Sequence, residues 1–215
     1  MIGDNIILEN EVAAPSDPVL DALIAGAIDR GKRVHFLAFD ASPRALRQRI
    51  PSLKEASIID CFSRGLGNTD VPSESPPACT VVTQPDVPEE VLHVIDGLVD
   101  ADESAFLVID SLNGMARLWG SEDLPALFYS RVCPRLFDAG NLALWVLHRG
   151  VQSEQFHAAL GHIAQVVLCL ERETQDLSVQ IRRATGRPEA IVGVPIPCSM
   201  EGGQFRLEPS GRREH

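Results

Sequence analysis

Lysine is almost missing from this chain: among its 215 residues only Lys32 and Lys54 are lysine, and no glycine lies between Gly3 and Gly26. A glycine-rich phosphate cradle needs glycines so that backbone N–H groups can wrap the phosphates, and a lysine to reach the outer ones. Residues 9–17, E-N-E-V-A-A-P-S-D, contain neither, and Glu9 and Glu11 add negative charge that repels a triphosphate. The five cysteines (Cys61, Cys79, Cys133, Cys169 and Cys198) are odd in number and never in C-x-x-C spacing. That pattern argues against a zinc knuckle or a disulfide framework and fits reduced thiols in a cytoplasm. No stretch reaches the ~18 uninterrupted apolar residues of a membrane span. The start, M-I-G-D-N, has no basic region leading into an apolar core, so a cytoplasmic protein without membrane contact is expected. A formal charge of -11 argues against non-specific nucleic-acid binding by the whole surface and leaves only local patches to consider.

What is present fits one α/β domain over residues 1–215, with 45% hydrophobic and 23% charged residues. The chain is organised around S-A-F-L-V-I-D-S-L-N-G-M at 104–115, where an apolar run ends at Asp110. A run this short, β-branched at Val108 and Ile109, predicts a strand buried on both faces, as in a parallel sheet. Two roles fit Asp110. It caps the next segment, with Asn113-Gly114 as a turn, or it is the acid that holds Mg²⁺ at the ligand-binding sheet edge.

Upstream, residues 5–8 predict a strand and 9–17 a connecting loop. Ser16 or Asp17 then supplies an N-cap and Pro18 the first helical position of an amphipathic helix ending near Gly31. A strand at 33–39 and a helix at 44–50 complete a βαβ unit. Residues 55–62 predict a third strand ending near Asp60, and 63–88 a long surface loop broken by a short strand at 79–82. Helices follow at 88–99 and 123–139, the second kinked or divided at Pro134. The next buried strand, 141–148, ends in His148, and a helix at 155–163 follows it. His157 and His162, five apart, do not share a helical face and make no metal pair. Short strands at 164–171, 177–183, 190–194 and 203–207 predict a C-terminal β-meander, and 208–215 a frayed tail.

Arg30-Gly31-Lys32-Arg33-Val34 and Asp40-Ala41-Ser42-Pro43, at this spacing after the first helix, resemble the opening of a RecA/KaiC-type ATPase domain. The Asp110-Ser111 strand end resembles the Walker B strand of that superfamily. The resemblance implies a RecA-like fold, a mostly parallel central sheet flanked by helices with a C-terminal β-meander. Aligned without gaps, the loop's two glycines fall on Asn10 and Pro15, its lysine on Ser16 and its hydroxyl residue on Asp17, so the Walker A loop is degenerate. The resemblance puts Asp40 where the family keeps a water-activating acid and His148 at a sensor position; a histidine ending a strand also serves structure alone. It puts Arg182, Arg183 and Arg187 where KaiC-type proteins reach a neighbouring subunit's nucleotide; the same arginines also solvate a strand end.

Length, the missing cradle, Ile-Asp-Ser-Leu at 109–112 and the short stretches Leu144 to His148 and Leu160 to Gln165 also resemble the RecA-like accessory subunits of Elongator, which lack Walker motifs, form a hexameric ring and bind tRNA in wobble-uridine modification. This implies a catalytically degenerate ring or scaffold subunit, homo- or hetero-oligomeric, with tRNA as partner and no cofactor. Arg30, Lys32, Arg33, Arg44, Arg47, Arg49 and Lys54 gather in one segment, either as a phosphate-contacting patch or as a solvated helix face. The alternative is a KaiC-like nucleotide-binding ATPase or switch that uses Mg-ATP, with Asp110 on the metal, Asp40 on water and Arg182 or Arg183 in trans. A recombinase paralogue in DNA repair is a further alternative.

Overall fold

Phe106–Asp110 (β5) forms the middle of the parallel part of the sheet, and all five of its residues are buried. Alternation divides the strand between two cores: Leu107 and Ile109 belong to one apolar cluster, Phe106 and Val108 to the other. A strand covered on both faces must be apolar throughout, which is why the run carries no polar residue before Asp110. The computed structural model describes residues 3–11, 14–65, 79–102, 104–173, 176–187, 192–202 and 204–208.

In chain order the strands are β1 (Asn5–Asn10), β2 (Val34–Ala38), β3 (Ser57–Asp60), β4 (Cys79–Val81), β5, β6 (Leu142–His148), β7 (Val166–Glu173), β8 (Asp176–Ala184), β9 (Pro195–Glu201) and β10 (Gln204–Leu207). The helices are α1 (Ser16–Ile28), α2 (Pro43–Arg49), the short α3 (Phe62–Gly65), α4 (Pro88–Ala101), α5 (Leu112–Trp119), α6 (Asp123–Asp138) and α7 (Glu154–Ile163). They flank one 10-stranded sheet of order β10-β9-β8-β7-β1-β6-β5-β2-β3-β4. From β7 to β4 neighbouring strands are parallel, and β8, β9 and β10 extend the sheet antiparallel. Helices α4 to α7 cover one face around Tyr129 and Trp145, whose rings meet edge to face at 4.8 Å. Helices α1 and α2 cover the other through Leu20, Ile24 and Leu46. No helix of the described residues is long and apolar enough to cross a membrane.

Several expectations are corrected. Strand β1 runs through Asn10, because Glu9 and Asn10 pair with both β6 and β7, so the first two residues of the loop expected over 9–17 belong to the sheet. Helix α1 is capped by Pro15 with no side-chain hydrogen bond, and Ser16 and Asp17 are already helical. Helix α6 is undivided at Pro134, since Val132, Cys133 and Leu136 anchor both sides of that position in the core. The strand expected at 190–194 falls partly outside the described residues, and Val192 forms only an isolated bridge to Ile181. On the side away from β7, the strand that pairs with β8 is β9, which carries Pro195 and Pro197. In the loop expected over 63–88, β4 is the short strand foreseen there, α3 occupies its start, and residues 66–78 lie outside the described residues. The tail beyond residue 208 lies outside them too.

Candidate functional site at the sheet edge

Because β1, β2, β5 and β6 are parallel, their C-terminal ends open on one edge, where such sheets bind ligands. Register places Asn10 opposite His148 and Ala38 opposite Asp110. Asp40, two residues beyond β2, joins Asp110 and His148, and one potential ligand atom from each lies within 4.8 Å of the others. Among the described residues this is the one group of His, Cys, Asp and Glu side chains that meets so closely. The three residues singled out from the sequence as catalytic candidates thus converge.

Their surroundings come from the first turns of α5. Ser111, not Asp110, is the N-cap: its hydroxyl oxygen accepts the Gly114 N–H at 3.0 Å and donates to Asp40 Oδ2 at 2.5 Å. Asn113 and Gly114 are helical and form no turn. The Asn113 side chain reaches the end of β6, accepting the His148 N–H at 2.7 Å and donating to the His148 carbonyl at 3.1 Å and to Gln152. Gly114 is small by necessity, since a Cβ there would stand 2.6 Å from Asp40 Oδ1 and 2.8 Å from Phe39 Cβ. One turn on, Arg117 donates to Asp40 Oδ1 at 2.7 Å. Sequence reasoning missed Ser111, Asn113 and Arg117. A serine directly after the strand acid, followed three residues later by glycine, was the available signal for the cap.

On the same edge, past the end of β1, α1 opens with Pro15 as its N-cap followed by Ser16, Asp17 and Pro18. A helix N-terminus attracts anions through its free N–H groups, and proline has none at 15 and 18. Asp17 supplies a carboxylate there already, and Arg49 from the end of α2 binds it twice, Nε to Oδ2 at 2.7 Å and Nη2 to Oδ1 at 2.8 Å. The other aligned loop residue, Asn10, is buried with its Oδ1 unpaired.

The charges act on one another. Burial, then repulsion from Asp40 and Asp17, pushes the Asp110 carboxyl up to about 7 against the pull of Arg49. Burial lowers the His148 imidazole, opposed by Asp40 and Asp17 and reinforced by Arg49. At neutral pH the site therefore holds a neutral histidine and a carboxyl that gives up its proton readily to a cation.

The remaining arginines are dispersed. Arg182 pairs with Glu171 at 2.6 Å beside a cleft of about 320 Å³ lined by Glu9, Arg149 and His157. Arg183 donates to the Gly161 carbonyl at 2.5 Å, and Arg187 pairs with Asp4. Both lie toward the edge where the parallel strands begin, away from Asp110, because β8 runs antiparallel to β7. Arg47 donates to the Leu53 carbonyl at 3.4 Å, whereas Arg44 is exposed without a hydrogen bond or ion pair among the described residues. The basic segment is not one patch: Arg33 pairs with Asp102 at 2.8 Å and Arg49 with Asp17, and the rest spread over the turn between α1 and β2, α2 and the turn Pro51–Lys54.

Sheet order, helical layers and antiparallel extension together define a RecA-like fold. A KaiC-like protein from the hyperthermophilic archaeon Pyrococcus horikoshii OT3 shares it, with a TM-score of 0.70 over 97% of this chain and 90% of that chain, at 16% sequence identity. No protein-family model matches the chain. No curated protein matches it either.

Proposed function

We propose that the chain is a catalytically degenerate RecA-like subunit that builds an oligomeric ring or scaffold, similar to the accessory subunits of Elongator. The observation that carries this reading is the first turn of α1. Prolines at 15 and 18 remove N–H donors, and the Asp17 carboxylate, held by Arg49, occupies the helix end that a phosphate needs. Asp40 is tied to the first turns of α5 as well, one oxygen by Ser111 and the other by Arg117. Mg-ATP belongs only to the hydrolytic alternative. Titration calorimetry of the chain with ATP and Mg²⁺ tests the reading. No saturable binding is expected at millimolar ATP, and saturable binding abolished by Asp110→Asn overturns it.

Within this reading tRNA is the expected partner. The side chains of Lys32, Arg44 and Lys54 make no hydrogen bond or ion pair among the described residues, so they are the members of the basic segment free to meet phosphate. With so few contacts per subunit, binding is weak and its salt slope shallow, on the order of -0.7 to -0.9 per phosphate contact. Filter binding of tRNA across a salt series measures both, and no retention at low salt removes tRNA from the proposal.

A further inference from the structure

The side chains at the sheet edge are unevenly partnered. Asp17 is taken by Arg49, and Asp40 by Ser111 and Arg117. Asp110 is only 7% exposed, yet its carboxylate has no hydrogen bond or ion pair among the described residues. The His148 imidazole has none either, although its backbone is held at both N–H and C=O by Asn113. Buried polar groups are normally satisfied, and a buried carboxylate without a partner is costly unless it is neutralised or binds a metal. Across β1 from His148, the Asn10 Oδ1 is a further buried oxygen without a partner.

We infer that Asp40, Asp110 and His148 bind a divalent transition-metal ion of the Zn²⁺ class, without nucleotide. Each offers a ligand atom, and the three lie within 4.8 Å of one another, close enough for small side-chain rotations to bring them onto one ion. An imidazole with two carboxylates matches zinc sites that use three protein ligands and keep one position open. The imidazole also selects Zn²⁺, Co²⁺ or Ni²⁺ over Mg²⁺, which favours oxygen ligands and retains its waters. Asp40 has one hydrogen bond on each oxygen, so a lone pair remains for a metal. The ion joins the ends of β2, β5 and β6, and its charge meets the Asp110 carboxylate, which has neither a counter-ion nor a hydrogen-bond donor among the described residues. This goes beyond the assembly reading and does not depend on it.

The test is Zn²⁺ uptake by the metal-free full chain, followed with a chromophoric chelator and repeated with Co²⁺, whose visible absorption reports nitrogen and oxygen ligands. One site per chain is expected, weakened about tenfold or more in both Asp110→Asn and His148→Ala. Millimolar Mg²⁺ is expected to leave it occupied, and His162→Ala, on the exposed end of α7, to bind like the parent chain. Absence of saturable uptake overturns the inference, as does uptake that neither site substitution changes or that Mg²⁺ displaces. Because no nucleotide enters the assay, failure here leaves the assembly reading standing, and the reverse also holds.

Discussion

Asn113 holds His148 by the backbone: its amide accepts the histidine N–H at 2.7 Å and donates to the histidine carbonyl at 3.1 Å. One side chain at the start of α5 thereby fixes the end of β6. Asn113→Ala removes both bonds and leaves half-buried backbone groups unpaired, so urea denaturation should show a loss of about 1 to 2 kcal/mol. A loss below about 0.5 kcal/mol would mean that water replaces the amide without penalty.

The Asp17–Arg49 pair is half-exposed, and Arg49→Ala should cost less than about 1 kcal/mol, an effect that shrinks further in high salt. The more telling result concerns ligand. Releasing Asp17, or replacing it in Asp17→Ser, should not create ATP binding, because the prolines still withhold their N–H groups. Calorimetric binding that emerges in either variant would recast the ion pair as a removable plug.

Gly114→Ala sets two effects against each other. Alanine gains up to about 1 kcal/mol of helix propensity, but its Cβ meets Asp40 and Phe39 at 2.6 and 2.8 Å. Overpacking of that kind costs about 1 to 3 kcal/mol, so the variant should be the less stable one in thermal melts. A raised melting temperature would show that Asp40 swings away freely.

His35 on β2 is buried with both ring nitrogens unpaired. Burial lowers its pKa, with Asp102 opposing and Arg33 assisting. The unfolded chain therefore takes up the proton first. The stability contribution is complete above the ordinary value of 6.5 and is lost as pH falls below it. Between pH 7 and 5 the raised Asp110 carboxyl works in the opposite direction, so the His35 contribution is read as a difference: on acidification across that window His35→Leu should lose less stability than the parent chain, or gain more. An unchanged slope in the variant would place the sensitivity elsewhere.

Much of this architecture was legible in the chain because parallel strands announce themselves as short apolar runs. Those runs end at Asp110 and His148, and the topology of a βαβ unit brings such ends to one edge. Local chemistry was harder to read. Asn-Gly favours a turn in isolation, yet at 113–114 a serine cap and a tight approach to Asp40 draw it into a helix. Proline discourages a strand, yet Pro195 and Pro197 lie in β9. Pro197 accepts from the Glu208 N–H, just past the last residue of β10, so a missing donor on that side costs no ladder bond. No local pattern joins Asp17 to Arg49, which are 32 residues apart, because the pairing arises only when α1 and α2 pack on the same face.

The most direct test of the central claim is the light-scattering mass of the purified chain with and without Mg-ATP. The account predicts a hexamer-sized particle whose mass is the same in both conditions, since assembly needs the fold and not the nucleotide. A monomer that assembles only when Mg-ATP is added would contradict it, because the first turn of α1 would then have to hold phosphate after all.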